Sequence, residues 1–306
     1  MKAMSALRSE LATGIQQFTR GNGMHESPIT GVHCVRYSRP DRRTKRQWRA
    51  CLAIVAQGSK EVVLGREVYL CDESQYTAAP VHLPVISRIA SAAPDRPFLA
   101  LLIDLDPVIL NEVACQFEPT EVPVDQNPIR AFFKGRADDE LLEAAVRLTK
   151  LFTKRDDARV LGPLIVKEIF FYLLKGSDGV AIRQFARSGS KMHRMSRAIF
   201  KIRSDLGNDV NVAALAKAAG MSRSAFFQHF KHLTSMSPIQ YQKRLRLLEA
   251  RRVLIETDET AEGSAFKVGY KSSSQFSREY SRMFGRSPVR DATKMKNLGP
   301  SAFQSQ

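Results

Sequence analysis

No run of the roughly 18 to 20 consecutive apolar residues needed to span a bilayer occurs in this sequence. No basic segment leads into an apolar one near Met1 either, so a secretory leader is not signalled and a cytoplasmic location is expected. Cysteine is sparse. Cys34, Cys51, Cys71 and Cys115 stand far apart with no C-x-x-C pair, which removes the usual frameworks for structural zinc and for disulfides. They read as buried reduced thiols, with a redox-reactive sensor thiol as the sharper alternative. Before residue 190 the only histidines are His25, His33 and His82, and no H-x-H pair exists, so neither a metal site nor a cofactor is expected. Acidic side chains are also short: 31 Asp and Glu stand against 47 Lys and Arg, a formal charge of +16.

That excess is uneven. Between Lys191 and Lys296 there are 21 basic and 9 acidic residues, which puts +12 of the charge in the last third of the chain. A polyanion or an anionic membrane surface would satisfy it. Helices built for membrane surfaces expose a broad Trp, Phe and Leu face, whereas the phenylalanines here recur at core spacing, so nucleic acid is favoured and no membrane partner is expected.

The 306 residues suffice for two domains, and their 43% apolar content is that of a globular protein. Residues 1–30 read as a polar extension with helical spacing only at Leu7, Leu11 and Ile15. Short Val-, Ile-, Tyr- and Phe-rich segments follow at 33–38, 51–57, 61–64, 67–71, 85–90 and 98–104, separated by Gly, Pro, Asp and Ser. They predict an antiparallel barrel or sandwich over 31–118. Helical periodicity then appears after Pro107, and again at 138–154 and 163–175 beyond a Pro-rich connection at 119–128. The apolar faces of the last two are generous enough to meet a second subunit, so 119–176 reads as a helical linker and dimerisation segment. Gly176 and the Ser188-Gly189-Ser190 run mark a hinge over 177–196.

Residues 197–296 contain an internal repeat, and 297–306 read as a tail. Val212, Leu215, Ala216 and Ala219 form one face of a short helix capped by Asn211; Gly220 stops it, and Ser222 caps a second helix carrying Phe226 and Phe230. The second copy has Ala261, Ala265 and Val268, then Gly269, Ser272, Phe276, Tyr280 and Phe284. Both copies read as helix-turn-helix units. Between them Ser237-Pro238 opens a Gly- and Pro-free run over 239–256, long enough as a helix, at about 27 Å, to let the two units meet neighbouring major grooves.

Ala216-Lys217-Ala218-Ala219-Gly220-Met221-Ser222-Arg223-Ser224-Ala225-Phe226, with Ser237-Pro238, Ala250-Arg251-Arg252, Val268-Gly269-Tyr270, Phe276-Ser277-Arg278 and Phe284-Gly285-Arg286-Ser287-Pro288, resembles the DNA-binding domain of the AraC/XylS family of transcriptional regulators. Pro94-Asp95-Arg96-Pro97-Phe98-Leu99 and Asp104-Leu105-Asp106-Pro107 are similar to the AraC-type N-terminal domain of one subfamily, which implies a cupin-like barrel followed by helices. The implied fold class is α+β, with that barrel and a C-terminal all-α domain of two helix-turn-helix motifs joined by a long helix. Two positions depart from the family: glycine is usual where Ser235 stands, and a large aliphatic residue where Ser264 stands. With Gly263 beside it, the second unit is expected to be the looser.

The resemblance implies a non-enzymatic regulator, an activator, that binds promoter double-stranded DNA as a homodimer, meets RNA polymerase, and answers to a small-molecule effector. The recognition helices are expected at Ser222–His232 and Ser273–Phe284. With Phe226 and Phe230 committed to the core, the outward residues Arg223, Ser224, Phe227, Gln228 and Lys231 are the first reading set. Gln228 suits adenine, Phe227 a thymine methyl or further packing, and Lys231 phosphate. The second set is Ser273, Ser274, Ser277, Arg278 and Ser281, with Arg278 its only long donor and suited to guanine or to phosphate. The rival readings are a cupin-type metalloenzyme fused to a DNA-binding domain and an architectural DNA binder without promoter specificity.

Overall fold

A computed structural model describes residues 2–73, 75–118 and 131–297. The Pro-rich connection expected at 119–128 and the tail beyond Asn297 lie outside the described residues. After α1 (Lys2–Phe18) come nine strands: β1 (Gly23–Glu26), β2 (Val32–Tyr37), β3 (Thr44–Trp48), β4 (Cys51–Gln57), β5 (Ser59–Leu64), β6 (Glu67–Asp72), β7 (Gln75–Ala79), β8 (Leu83–Ser91) and β9 (Phe98–Asp104). Then follow α2 (Pro107–Ala114), β10 (Phe133–Arg136), α3 (Asp139–Lys150), α4 (Arg155–Lys175) and α5 (Gly179–Ala186). The remainder is helical: α6 (Lys191–Ser204), α7 (Val212–Ala218), α8 (Arg223–Thr234), α9 (Pro238–Glu256), α10 (Ala261–Lys267), α11 (Ser273–Phe284) and α12 (Pro288–Asn297).

The strands form a six-stranded sheet in the order β1-β2-β9-β4-β7-β10 and a four-stranded sheet in the order β3-β8-β5-β6, with every pairing antiparallel. This is the barrel-like α+β architecture predicted from the strand spacing. β8 shows the period-two logic: Leu83, Val85, Ser87 and Ile89 are buried while Ile86, Arg88 and Ala90 between them are partly exposed. In β4 and β9 both faces are buried, because one faces the other sheet and one is covered by α1. Residues 2–18, whose sequence offered little beyond Leu7, Leu11 and Ile15, are thus a structural helix, with Leu11 and Ile15 fully buried. α1 also lies close on α3, where a Cβ on Gly14 would stand 2.7 Å from the Thr149 hydroxyl.

α4 begins at Arg155, eight residues ahead of the predicted start, and keeps Pro163 inside it. Proline favours a helix's first turn, so its presence read as a boundary. Here Gly162 and Pro163 lie where α4 meets the β1–β2 turn, and a Cβ on Gly162 would come within 2.9 Å of Ile29. The 177–196 segment contains α5 and the start of α6; Ile182 and Phe185 are buried, and Phe185 meets Phe133 edge-on at 6.0 Å. Only 187–190 separates these helices, with Gly189 at φ +82°.

One apolar core runs from the barrel through α6 into the first helix-turn-helix, ending at Phe226, Phe230, Tyr241 and Leu245. A second, smaller core of Leu247, Ala250, Leu254, Ala265, Val268, Tyr270, Phe276 and Tyr280 holds the other unit together. The barrel touches the helical part directly. Tyr241 Oη donates to the His82 carbonyl at 2.7 Å, and Lys45 donates to the Met283 carbonyl. Ser235, in the left-handed conformation at φ 59°, packs against Gly65 of the β5–β6 turn. Serine therefore stands at a strained position where it makes a contact that glycine could not.

Candidate nucleic-acid interface

Local chemistry fixes each helix start. Asn211 accepts from Ala214 N at 2.9 Å, Ser222 from Ala225 N at 3.2 Å, Thr260 from Gly263 N at 2.9 Å and Ser272 from Gln275 N at 3.3 Å. Ser237 and Gln240 form a reciprocal capping box at the start of α9, with Pro238 in the first turn. Gly220 at φ +65° and Gly269 at φ +91° make the two turns. In the first unit Phe226 and Phe230 are fully buried, and Phe230 meets Tyr241 edge-on at 5.4 Å. In the second, Tyr270, Phe276, Tyr280 and Phe284 form a chain of ring contacts at 4.5 to 5.4 Å.

With these rings turned inward, α8 presents Arg223, Ser224, Phe227, Gln228 and Lys231, all exposed, with 42% of the Phe227 surface accessible. On α11, Ser274 and Arg278 are exposed while Ser273, Ser277 and Ser281 are half-buried. Among the described residues, Arg223, Gln228, Lys231 and Arg278 make no side-chain hydrogen bond or ion pair. The two sets lie on separate helices, one before and one after α9 in the chain; α9 has 19 residues and spans about 28 Å, and α11 also reaches its first half through Glu279 and Lys243.

Sequence reading did not find the residues that set the angle between the units. Arg246 on α9 donates to the Leu206 carbonyl at 2.7 Å and pairs with Asp209 at 3.2 Å, while Gln242 donates to the Asn208 carbonyl at 2.6 Å. The loop after α6 is thereby tied to the connector. Gly269, at the second turn, abuts the same loop, since a Cβ there would lie 2.4 Å from the Gly207 carbonyl oxygen. The only signal in the sequence is a long polar side chain at an otherwise apolar position of α9.

Ser264 stands on α10 of the second unit. Its hydroxyl is fully buried and has no hydrogen-bond partner. Ser264→Ala removes that orphan at little cost in volume and is expected to stabilise α10 to α12 by about 1 kcal/mol, seen as a higher melting temperature or slower amide exchange in those helices. A loss of stability would mean that the hydroxyl is satisfied in solution.

Among the described residues there is no helix long and apolar enough to cross a membrane, and no group of three His, Cys, Asp or Glu side chains placed to hold a metal ion. Cys34, Cys51 and Cys71 are buried, with burial pushing their thiols up to about 12, 12 and 11; Cys115 is exposed.

Residues 28–181 match the family described as AraC-type transcriptional regulator N-terminus, and residues 215–292 match a helix-turn-helix domain family. The chain is 30% identical over 123 residues to the transcriptional activator RhaS of Pectobacterium carotovorum, covering 40% of this chain and 42% of that protein. It is 24% identical over 158 residues to the transcriptional regulator ArgR of Pseudomonas aeruginosa, covering 52% and 47%. The chain thus spans less than half the length of these curated relatives, both of them transcription regulators. Its fold follows that of ToxT from Vibrio cholerae in a structure with bound unsaturated fatty acid, at a TM-score of 0.57 and 12% identity over 89% of this chain and 96% of that one.

Proposed function

The chain belongs to the AraC family of transcriptional regulators, and on that premise we propose that it is a sequence-specific binder of promoter double-stranded DNA whose N-terminal barrel senses a small molecule. The observation that carries this is the pair of exposed faces on α8 and α11, joined in the chain through a helix about 28 Å long, where successive major grooves lie about 34 Å apart. Each recognition helix can then enter one of two neighbouring grooves, with Gln228 against adenine, Phe227 against a thymine methyl and Lys231 on phosphate. The excess of basic over acidic residues after Lys191 adds a sequence-independent attraction.

The division of labour follows the chain. The barrel, which extends beyond the expected 31–118 to take in β1 and β10, is the sensor; the helical part of 119–176 supplies the subunit contact, 177–196 couples it onward, and 197–296 reads DNA. An effector is supported by the fatty acid bound to the structurally similar ToxT. A homodimer is supported by Val160, Leu164 and Phe171, which lie 62%, 60% and 41% exposed along α4, beside the 75% exposed Val108 of α2. Activation is supported by the role named for RhaS, and contact with RNA polymerase is the route proposed for it.

The test is competition binding of the full chain to its operator against random duplex across a salt series. Specific binding should exceed non-specific by about a thousandfold or more. Arg278→Ala should relax preference at one base pair at a cost of about 1 to 3 kcal/mol. Uniform weakening on all sequences, with a salt slope shallower by about 1, would identify a phosphate contact instead. Binding without any sequence preference would sink the regulator reading in favour of an architectural protein.

A further inference from the structure

Strand register determines which side chains enter the barrel. On β5, Glu61 pairs with Arg43 and Arg88, which are 54% and 42% exposed, so that face is the outside and Lys60, Val62 and Leu64 point inward. Ser87 lies opposite Val62 and therefore shares the inner face. On the six-stranded sheet, the completely buried row of Cys34, Leu52, Ile54, Leu99 and Leu101 is the face covered by α1, so Cys51, Ala53 and Val55 point inward. Cross-strand pairing through Leu102, Ala100 and Phe98 then places His33, Val35 and Tyr37 on that side, and pairing with Thr77 places Gln75 there.

Buried polar atoms are nearly always paired, so several orphans on one inner face point to something missing from it. His33 Nδ1, Gln75 Oε1 and Ser87 Oγ are buried without a hydrogen-bond partner and belong to inward positions, while Tyr37 on the same side lies against Arg46. Lys60 joins them with its ammonium 4.5 Å from the centre of the Trp48 ring and, among the described residues, no acid paired to it. The carboxylate whose charge acts on it, Asp41, is already held by Arg46 at 2.9 Å. An unpaired cation, three orphaned hydrogen-bonding atoms and one indole face are a poor core and a good binding site.

We propose that the barrel interior binds a small hydroxylated organic acid, its carboxylate paired with Lys60, its hydroxyls engaging the orphaned inner atoms and its apolar face lying against Trp48. The inference rests on the barrel being the sensor. A neutral ligand would leave Lys60 uncompensated, and a purely apolar one would leave the orphans unpaired. Desolvation, aided by Arg46, lowers the Lys60 amine to about 8, so acid binding weakens as the pH rises past that value. Cys51 and Cys71, pushed up to about 12 and 11, stay neutral across that range.

Trp48 is the only tryptophan in the chain, so its emission reports on this space directly. The full-length protein is titrated with glucuronate and mandelate, and with their uncharged counterparts glucose and mandelamide. The expected result is a saturable change in Trp48 emission with at least one acid, binding about tenfold or more tighter than its neutral partner, and a loss of about that factor in Lys60→Met. Lys60→Met should melt no lower than the parent, because it removes a desolvated charge; this separates a ligand-holding lysine from one that supports the fold. Equal responses to acid and neutral compounds, unaltered in Lys60→Met, overturn the acid assignment and leave the barrel as a sensor. No response to any of the four overturns both.

Discussion

Asp291→Ala is expected to cost about 3 to 5 kcal/mol and to melt the second helix-turn-helix unit ahead of the first. Asp291 is 4% exposed on α12 and accepts from Arg251 Nε of α9 at 2.8 Å and from Tyr280 Oη of α11 at 2.9 Å. Three helices therefore close on one carboxylate. Removing it leaves the Arg251 guanidinium and a fully buried tyrosine hydroxyl without their shared acceptor, and the desolvation penalty of both then falls on the small core of Phe276, Tyr280 and Val268. Because the first unit shares its core with the barrel, it should stay folded. Amide exchange resolved by segment checks this. Collapse of protection in α10 to α12 with α7 and α8 unchanged is the expected pattern, and simultaneous loss in both units would show that the two cores are not independent. Asp291→Asn, which keeps an acceptor, should cost less.

Gly269→Ala should cost clearly more than Gly220→Ala, although the two glycines hold the same place in the two units. Both have positive φ, so either alanine meets the left-handed penalty of about 1 to 2 kcal/mol. At Gly220 the new methyl has room, with only Arg194 Nε at 3.8 Å. At Gly269 it would press on the carbonyl oxygens of Gly207 at 2.4 Å and Leu206 at 2.8 Å, both backbone atoms that cannot rotate aside. That clash adds about 1 to 3 kcal/mol and forces apart the loop and turn that set the angle between the units. DNA affinity should therefore fall further for Gly269→Ala than for Gly220→Ala in calorimetric and binding measurements on the two variants. Equal losses would mean that the second turn is not wedged against the loop after α6.

The contrast between these glycines also marks what the sequence makes legible. Helix caps, turn glycines and the Phe226–Phe230 and Phe276–Tyr280 spacings depend on neighbours within a few residues, so both units could be placed from the sequence. The wedge at Gly269 depends on residues some sixty positions away and leaves no local trace. The barrel divides in the same way. β2, β4 and β9 are apolar and evident, whereas β3 is Thr-Lys-Arg-Gln-Trp and β10 is Phe-Lys-Gly-Arg, polar strings that become strands through the partners they pair with. The visible part of β5 was Glu61 to Leu64; Lys60 lay outside it because a charge inside a barrel breaks the pattern by which strands are recognised. The residue that disrupts the apolar alternation is the one with functional content. α4 misled for the opposite reason, since Pro163 is a genuine helix-start signal that here lies inside the helix, beside Gly162 where Ile29 approaches.

Hydroxyl-radical footprinting of the full-length protein on the intergenic DNA beside its own gene tests the central claim most directly. Two recognition helices held by α9 predict a discrete site with protection on one face of the duplex, in two patches about one helical turn apart, and loss of the patch belonging to α11 in Asp291→Ala. Diffuse protection without a defined site, or a single patch unaffected by that substitution, would contradict it.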